Sequence, residues 1–294
     1  MTKYEHIQVQ SILNRLNDKL DGFSSVYSLN PYRGCEHACQ YCYVLSDKYI
    51  PYKKKEEFFY KIQLKANASF LLQEALSKIP IDCLIIVGTS CDPYQPAEKE
   101  YKNTRSILEV LYDFKNPVHI ITKSDLILRD IDLLEKISSK TFLAVSFSIS
   151  MNDALSSFFE PRATKPSKRF KALSILSDHN IRCGVFISPI LPYIVDDKIV
   201  KNIISTASIS GAKYISVDEL RLRDTNKTRF LDFIKTIYPK LVNRYEVMFS
   251  KNSSPPEIFS KNIVDYAEKM AKELNLETSF SENFHMVKKQ MELF

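Results

Sequence analysis

Three of the six cysteines in this chain, Cys35, Cys39 and Cys42, are packed into one short segment, NPYRGCEHACQYCYV. Thiolates are soft, negatively charged ligands that suit iron–sulfur clusters and zinc. Three of them can hold three irons of a cubane and leave the fourth open, whereas a purely structural site is closed by four protein ligands. On the residues alone, a zinc site completed by His37 or by a distant side chain remains the alternative. His37 itself reads as a solvated loop residue. Of the scattered cysteines, Cys83 and Cys183 fall in apolar runs and read as core thiols, and Cys91 follows such a run in GTSCDPYQ.

Ligands on a loop need rigid elements to hold them. Short apolar runs occur at CLIIV (83–87), VHII (118–121), FLAVSF (142–147), CGVFI (183–187) and YISV (214–217), with an earlier strand expected over 25–32. Between them, apolar residues recur at helical spacing, as in Leu72, Ala75, Leu76 and Ile79, or Val200, Ile203, Ile204 and Ala207. Continuous apolar strands alternating with amphipathic helices indicate a parallel sheet with crossover helices. About six such units fit an α/β fold of partial (β/α)6 barrel form, with its chemistry at the carboxyl ends of the strands. The cysteine loop follows the first of these strands. Helices over 228–238 and 262–273, separated by the polar break KNSSPPE, should flank the barrel. The expected division is an extension over 1–24, the barrel over 25–220 and a helical part over 221–294.

Four further segments narrow the comparison: GTSCDPYQPAE (88–98), ITKSDLILRD (121–130), VSFSIS (145–150) and EPRATKPSKR (160–169), followed by GVFISPILP (184–192). With NPYRGC and YCY they resemble the spore photoproduct lyase-like branch of the radical S-adenosylmethionine superfamily, over roughly residues 25 to 220. The resemblance implies one 4Fe–4S cluster on Cys35, Cys39 and Cys42, with S-adenosylmethionine on the open iron, cleaved reductively to a 5′-deoxyadenosyl radical. It further implies that Tyr41 lies against the adenine and that Tyr43 relays a hydrogen atom. Lys123 and Ser148 would bind the cofactor's carboxylate and ribose, and Ser90 and Asp92 would stand where its amino group is held. Cys91 sits two places later than the hydrogen-donating cysteine of the lyase, a shift that keeps its facing in extended chain. Glu160 and Arg169 match the pattern as an ion pair or as substrate contacts. No second cysteine group follows, so one cluster is expected.

The implied activity is lyase-like processing of a DNA lesion, with RNA, a peptide or a small metabolite as other substrates of the same chemistry. A zinc-bound, non-catalytic interaction protein is the reading of a different class. An electron donor such as flavodoxin or ferredoxin is needed in the first case. The last residues, KKQMELF, resemble the bacterial sliding-clamp-binding peptide through Gln290, Met291, Leu293 and Phe294, where terminal apolar anchors fill a pocket. The net charge of +6 is compatible with an anionic partner, and Tyr49 to Lys55 with Arg221, Arg223, Lys227 and Arg229 are the groups that would meet phosphates. Tyr49 and Tyr52 could stack on bases. No apolar run approaches the roughly 18 residues of a spanning helix and no signal peptide is visible, so no membrane is involved and the cytoplasm is the expected compartment.

Overall fold

The computed structural model describes residues 2–282, apart from 18–19, 21, 47–51 and 53. Tyr49 and the tail residues Gln290, Met291, Leu293 and Phe294 therefore lie outside the described residues. Six parallel strands form the core sheet in chain order: Val26–Leu29, Leu84–Val87, Val118–Thr122, Leu143–Ser148, Arg182–Ile190 and Tyr214–Glu219. The last five coincide with the five apolar runs, and the first falls within the strand expected over 25–32. The fourth strand is buried at every position, as expected where helices cover one face and the barrel interior the other. The partial barrel is open: Leu13–Leu16 adds antiparallel to the first strand, and this strand and the sixth are the two edges.

The crossovers are helical. Ala68–Leu76, Asn103–Phe114, Ile131–Ser138, Pro166–Asp178 and Asp197–Ile209 bury their apolar stripes against the sheet. Their starts follow local chemistry, since Asp196 accepts from the Ile199 N–H and Pro166 opens its helix where no amide partner is needed. Close packing is visible at Gly184, where a Cβ would lie 2.4 Å from the Tyr214 ring. The later helices Asp224–Ile237 and Glu257–Glu273 flank the barrel as the sequence suggested.

Two features have no counterpart in the sequence reading. Lys3–Ile7, Lys61–Lys65 and Tyr32–Arg33 form a separate three-stranded sheet beneath the cysteine loop. At the amino ends of the strands, the segment after the last helix crosses the barrel base. Glu277 hydrogen-bonds the backbone at Lys213 and Ile215, its carboxylate pairs with Arg182, and Phe280 stacks on His119 with ring centroids 3.9 Å apart.

Candidate active site

The carboxyl ends of the strands enclose a cavity of about 500 Å³, within the range of small-molecule sites. Cys35, Cys39 and Cys42 line one wall. Lys123 and Ser148 stand at the ends of the third and fourth strands, and Tyr41, Tyr43, Ser90, Cys91 and Asp92 share the same lining. One cavity thus collects the three cysteines and the residues expected to bind the cofactor or relay hydrogen, while Glu160 and Arg169 lie outside its lining.

The cysteine loop is held by its own backbone and by distant side chains. Gly34 has φ +89°, and a Cβ there would approach the Phe58 carbonyl to 2.9 Å, so a side chain is excluded on both counts. The Cys35 N–H donates to that same carbonyl at 2.9 Å. Gln95 accepts from the Glu36 N–H at 2.9 Å and donates to the Gly34 carbonyl at 3.1 Å. Glu36 in turn accepts from the Ala97 N–H at 2.8 Å and from the Tyr4 hydroxyl at 2.9 Å. The DPYQPAE turn is therefore the brace of the cysteine loop.

Asp92 is the junction between the second and third strand ends. Its carboxylate accepts from the Lys123 N–H at 2.6 Å, the Thr122 hydroxyl at 2.8 Å and the Tyr94 N–H at 2.9 Å. Its own N–H donates to Cys35 Sγ at 3.5 Å. Burial pushes this carboxyl upward, but His37 and the donated hydrogen bonds outweigh it and hold it down at about 2. His37 is buried, with Nδ1 3.4 Å from the carboxylate, which corrects the expectation of a solvated loop residue: the loop folds back so that the ring faces Asp92 and the cavity.

Lys123 Nζ donates to Ser148 Oγ at 2.7 Å and stands 5.7 Å from the Tyr41 ring centroid. The Tyr41 hydroxyl donates to Glu160, which pairs with Arg169 at 2.5 Å. Arg169 also donates to the Ser148 carbonyl at 2.7 Å and the Thr164 carbonyl at 2.5 Å. Both members of the pair are fully buried, so they brace Tyr41 and the fourth strand from beneath and do not face the cavity as a substrate contact would. Tyr43 is 47% exposed at the outer lip, its hydroxyl donating to the Thr89 carbonyl. The Cys91 thiol donates to the Tyr32 carbonyl at 3.4 Å and packs with Tyr32, Ile62 and Leu64. Burial pushes that thiol up to about 12.

The same cavity is also lined by Asp218, Glu219, Arg221 and Arg223. Leu220 and Leu222 are buried while Arg221 and Arg223 between and after them are exposed, the period of two of extended chain. The other two cations grouped with them in the sequence turn inward: Lys227 donates to the Phe249 carbonyl at 2.6 Å, and Arg229 donates to the cysteine loop. Tyr52 is also buried, its hydroxyl donating to the Lys61 carbonyl at 2.9 Å, so it is a core residue and no stacking platform.

The donor set fits an iron–sulfur cluster. None of the three cysteines is in a disulfide. Burial pushes the Cys35, Cys39 and Cys42 thiols up, Cys39 to about 12; such thiols are poor nucleophiles, whereas metal coordination removes their protons outright. Among the described residues no three His, Cys, Asp or Glu side chains gather round a single point. A cubane takes each thiolate at a separate corner.

Comparison with known proteins agrees with this chemistry. The model of the radical SAM superfamily matches residues 29–203. An uncharacterised protein of Methanocaldococcus jannaschii is 31% identical over 229 residues, covering 77% of this chain and 81% of that protein. Spore photoproduct lyase has a similar fold: one variant superposes with a TM-score of 0.71 at 13% identity over 94% of this chain and 81% of its own. Another, with bound AdoMet and dinucleoside spore photoproduct, gives 0.64 at 14% identity over 86% and 75%. SuiB of Streptococcus suis, bound to its precursor peptide SuiA, gives 0.54 at 12% identity over 89% of this chain and 51% of its own. The chain belongs to the radical SAM superfamily, whose cofactors are a 4Fe–4S cluster and S-adenosylmethionine.

Proposed function

We propose that this enzyme abstracts a hydrogen atom from a nucleic-acid substrate, a DNA lesion, in a lyase-like repair reaction. The observation that carries the reading is the single cavity with three cysteines on one wall, Lys123 and Ser148 on another, and Tyr43 at its lip. The bound cofactors would supply one electron and a 5′-deoxyadenosyl radical. The protein's part is to bind, orient and shield.

Cys35, Cys39 and Cys42 would hold the cluster. Lys123 offers an ammonium for the carboxylate of S-adenosylmethionine, Ser148 a hydroxyl for its ribose, and Ser90 an oxygen for its amino group. Asp92 spends its oxygens on Thr122, Lys123 and Tyr94, so it serves this site by fixing where Lys123 begins. Tyr41, held by Glu160, presents a ring of fixed orientation to the adenine. Of the two hydrogen donors, Tyr43 faces outward to substrate, and Cys91 stands behind it with its thiol engaged. Arg221 and Arg223 would meet phosphates at the rim. The electron would come from a one-electron carrier of the flavodoxin or ferredoxin kind. We place the enzyme in the cytoplasm; no helix among the described residues is long and apolar enough to cross a membrane.

The test is anaerobic. The chain is reconstituted with iron and sulfide, reduced with dithionite and given S-adenosylmethionine, and 5′-deoxyadenosine is assayed with and without DNA bearing thymine photoproducts. Formation in the wild type, loss in Cys39→Ala and stimulation with lesion repair support the reading. A colourless zinc protein that makes no 5′-deoxyadenosine would overturn the enzyme. Turnover unaffected by any DNA would overturn the substrate.

A further inference from the structure

Arg229 lies in the helix Asp224–Ile237, beyond the stretch that matches the superfamily, yet it reaches the cysteine loop. Its guanidinium donates to the Cys39 carbonyl at 3.2 Å, the Gln40 carbonyl at 2.9 Å and Gln40 Oε1 at 2.8 Å. Its Cζ stands 4.6 Å from the centroid of the Phe59 ring. The loop it grips is already specialised: Ala38 has φ +54°, and the Gln40 N–H donates to the Phe159 carbonyl at 2.8 Å.

All three hydrogen-bond acceptors are neutral. Among the described residues, no carboxylate lies within ion-pair distance of Arg229, whereas Arg105, Arg129, Arg169 and Arg182 each have one. A half-buried guanidinium without a counter-charge is costly, and arginines withdrawn from solvent are ordinarily paired. The acidic groups that act on its charge are the thiols of Cys42 and Cys39 on the loop it clasps and, less strongly, the Glu56 carboxylate, which forms no ion pair with it. A thiolate-bound cluster would provide the missing negative charge. Such clusters respond to neighbouring charge and hydrogen bonding through their reduction potential, because an adjacent cation favours the more negative, reduced state.

We infer that Arg229 is a positioning residue that fixes the backbone at Cys39 and Gln40 and raises the cluster's reduction potential through its charge. The inference rests on the cluster role proposed for the three cysteines. The rest of the cation set does not duplicate it: Lys123 lies inside the cavity against Ser148, where a bound carboxylate would neutralise it. Arg229 stays charged whatever occupies the cavity.

The experiment compares full-length wild type, Arg229→Gln and Arg229→Lys after anaerobic reconstitution. Iron and sulfide per chain are measured, and the reduced cluster is titrated by its electron spin resonance signal without S-adenosylmethionine. Arg229→Gln should lower the ratio of reduced to oxidised cluster at a fixed potential about tenfold, which is about 59 mV for one electron. Arg229→Lys should keep that ratio within about twofold while retaining less iron, since an ammonium cannot reproduce the planar fork. A Gln variant that fails to load, beside a Lys variant with the wild-type ratio, also supports the role of charge. Equal iron loss in both, with an unmoved titration in the cluster that remains, reduces Arg229 to a structural clamp and overturns the inference. A fully loaded Gln variant with the wild-type ratio, or a Lys variant shifted as far as Gln, overturns it too. Absence of any cluster in the wild type would instead sink the proposed function.

Discussion

Replacing Arg169 by methionine isolates the brace beneath Tyr41. Arg169 and Glu160 are both fully buried, and the substitution leaves a carboxylate in the interior with only Tyr41 and Ser156 hydroxyls for partners. It also frees the Ser148 and Thr164 carbonyls. Breaking a buried pair from one side costs about 3–5 kcal/mol, or roughly two to four powers of ten in the folding equilibrium at about 1.4 kcal/mol each. The pH dependence gives the sign. In the wild type, burial pushes Glu160 up but Arg169 holds it below the usual carboxylate range, so the pair stabilises above the unfolded pKa of about 4.3 and that gain is lost as pH falls. Without Arg169 burial wins, the folded pKa rises above the unfolded one, and Glu160 favours the fold only while protonated. Urea unfolding of cluster-free protein should therefore show a large deficit at pH 7 that shrinks toward pH 4. Glu160→Gln combined with Arg169→Met should recover at least half of it at pH 7. A deficit below about 1 kcal/mol, or one that does not change with pH, would refute the assignment of the pair as a charge-compensated brace.

Three other outcomes follow from the same structure. His119 is buried against Ser146, and burial pulls its pKa down to about 3. Its contribution to stability is complete above about pH 6.5 and is lost as pH falls toward 3, at up to about 1.4 kcal/mol per pH unit; the difference between wild type and His119→Gln in urea midpoints across pH 4–7 measures this slope. Lys123→Met should leave iron content unchanged but weaken S-adenosylmethionine binding by about 1.5–3 kcal/mol, the worth of a hydrogen bond to a charged group, read by equilibrium binding to the reconstituted protein. Gly184→Ala drives a methyl into Tyr214 and should destabilise by at least the roughly 1–3 kcal/mol of an overpacked core, seen as a lowered melting temperature.

The parts legible in the sequence were those written in local signals. Five of the six parallel strands are short apolar runs, and the cysteine spacing narrows the ligand chemistry to an iron–sulfur cluster or zinc within a few residues, the further motifs deciding between them. The supports were not legible because they join distant positions through polar side chains. Lys3–Ile7 and Lys61–Lys65 pair in parallel register, but KYEHI and KIQLK have few apolar residues to mark them as strands. Arg229 meets Gln40 across 189 positions, and nothing near it distinguishes it from Lys227 on the same helix. His37 looked like a loop residue because its burial depends on Asp92, supplied by the turn after the second strand.

The unclosed rim has a consequence for how a long substrate reaches the cavity. Leu16 on one edge strand and Arg221 and Arg223 beyond the other all line the same space, and among the described residues no hydrogen-bonded ring of strands surrounds it. A site at the carboxyl ends of parallel strands is reached over that face and needs no free end, and the gap between the two edges adds a lateral notch along which the flanking polymer can leave. For a nucleic-acid substrate, a covalently closed circle carrying one damaged site should be handled as readily as a short linear fragment with the same site.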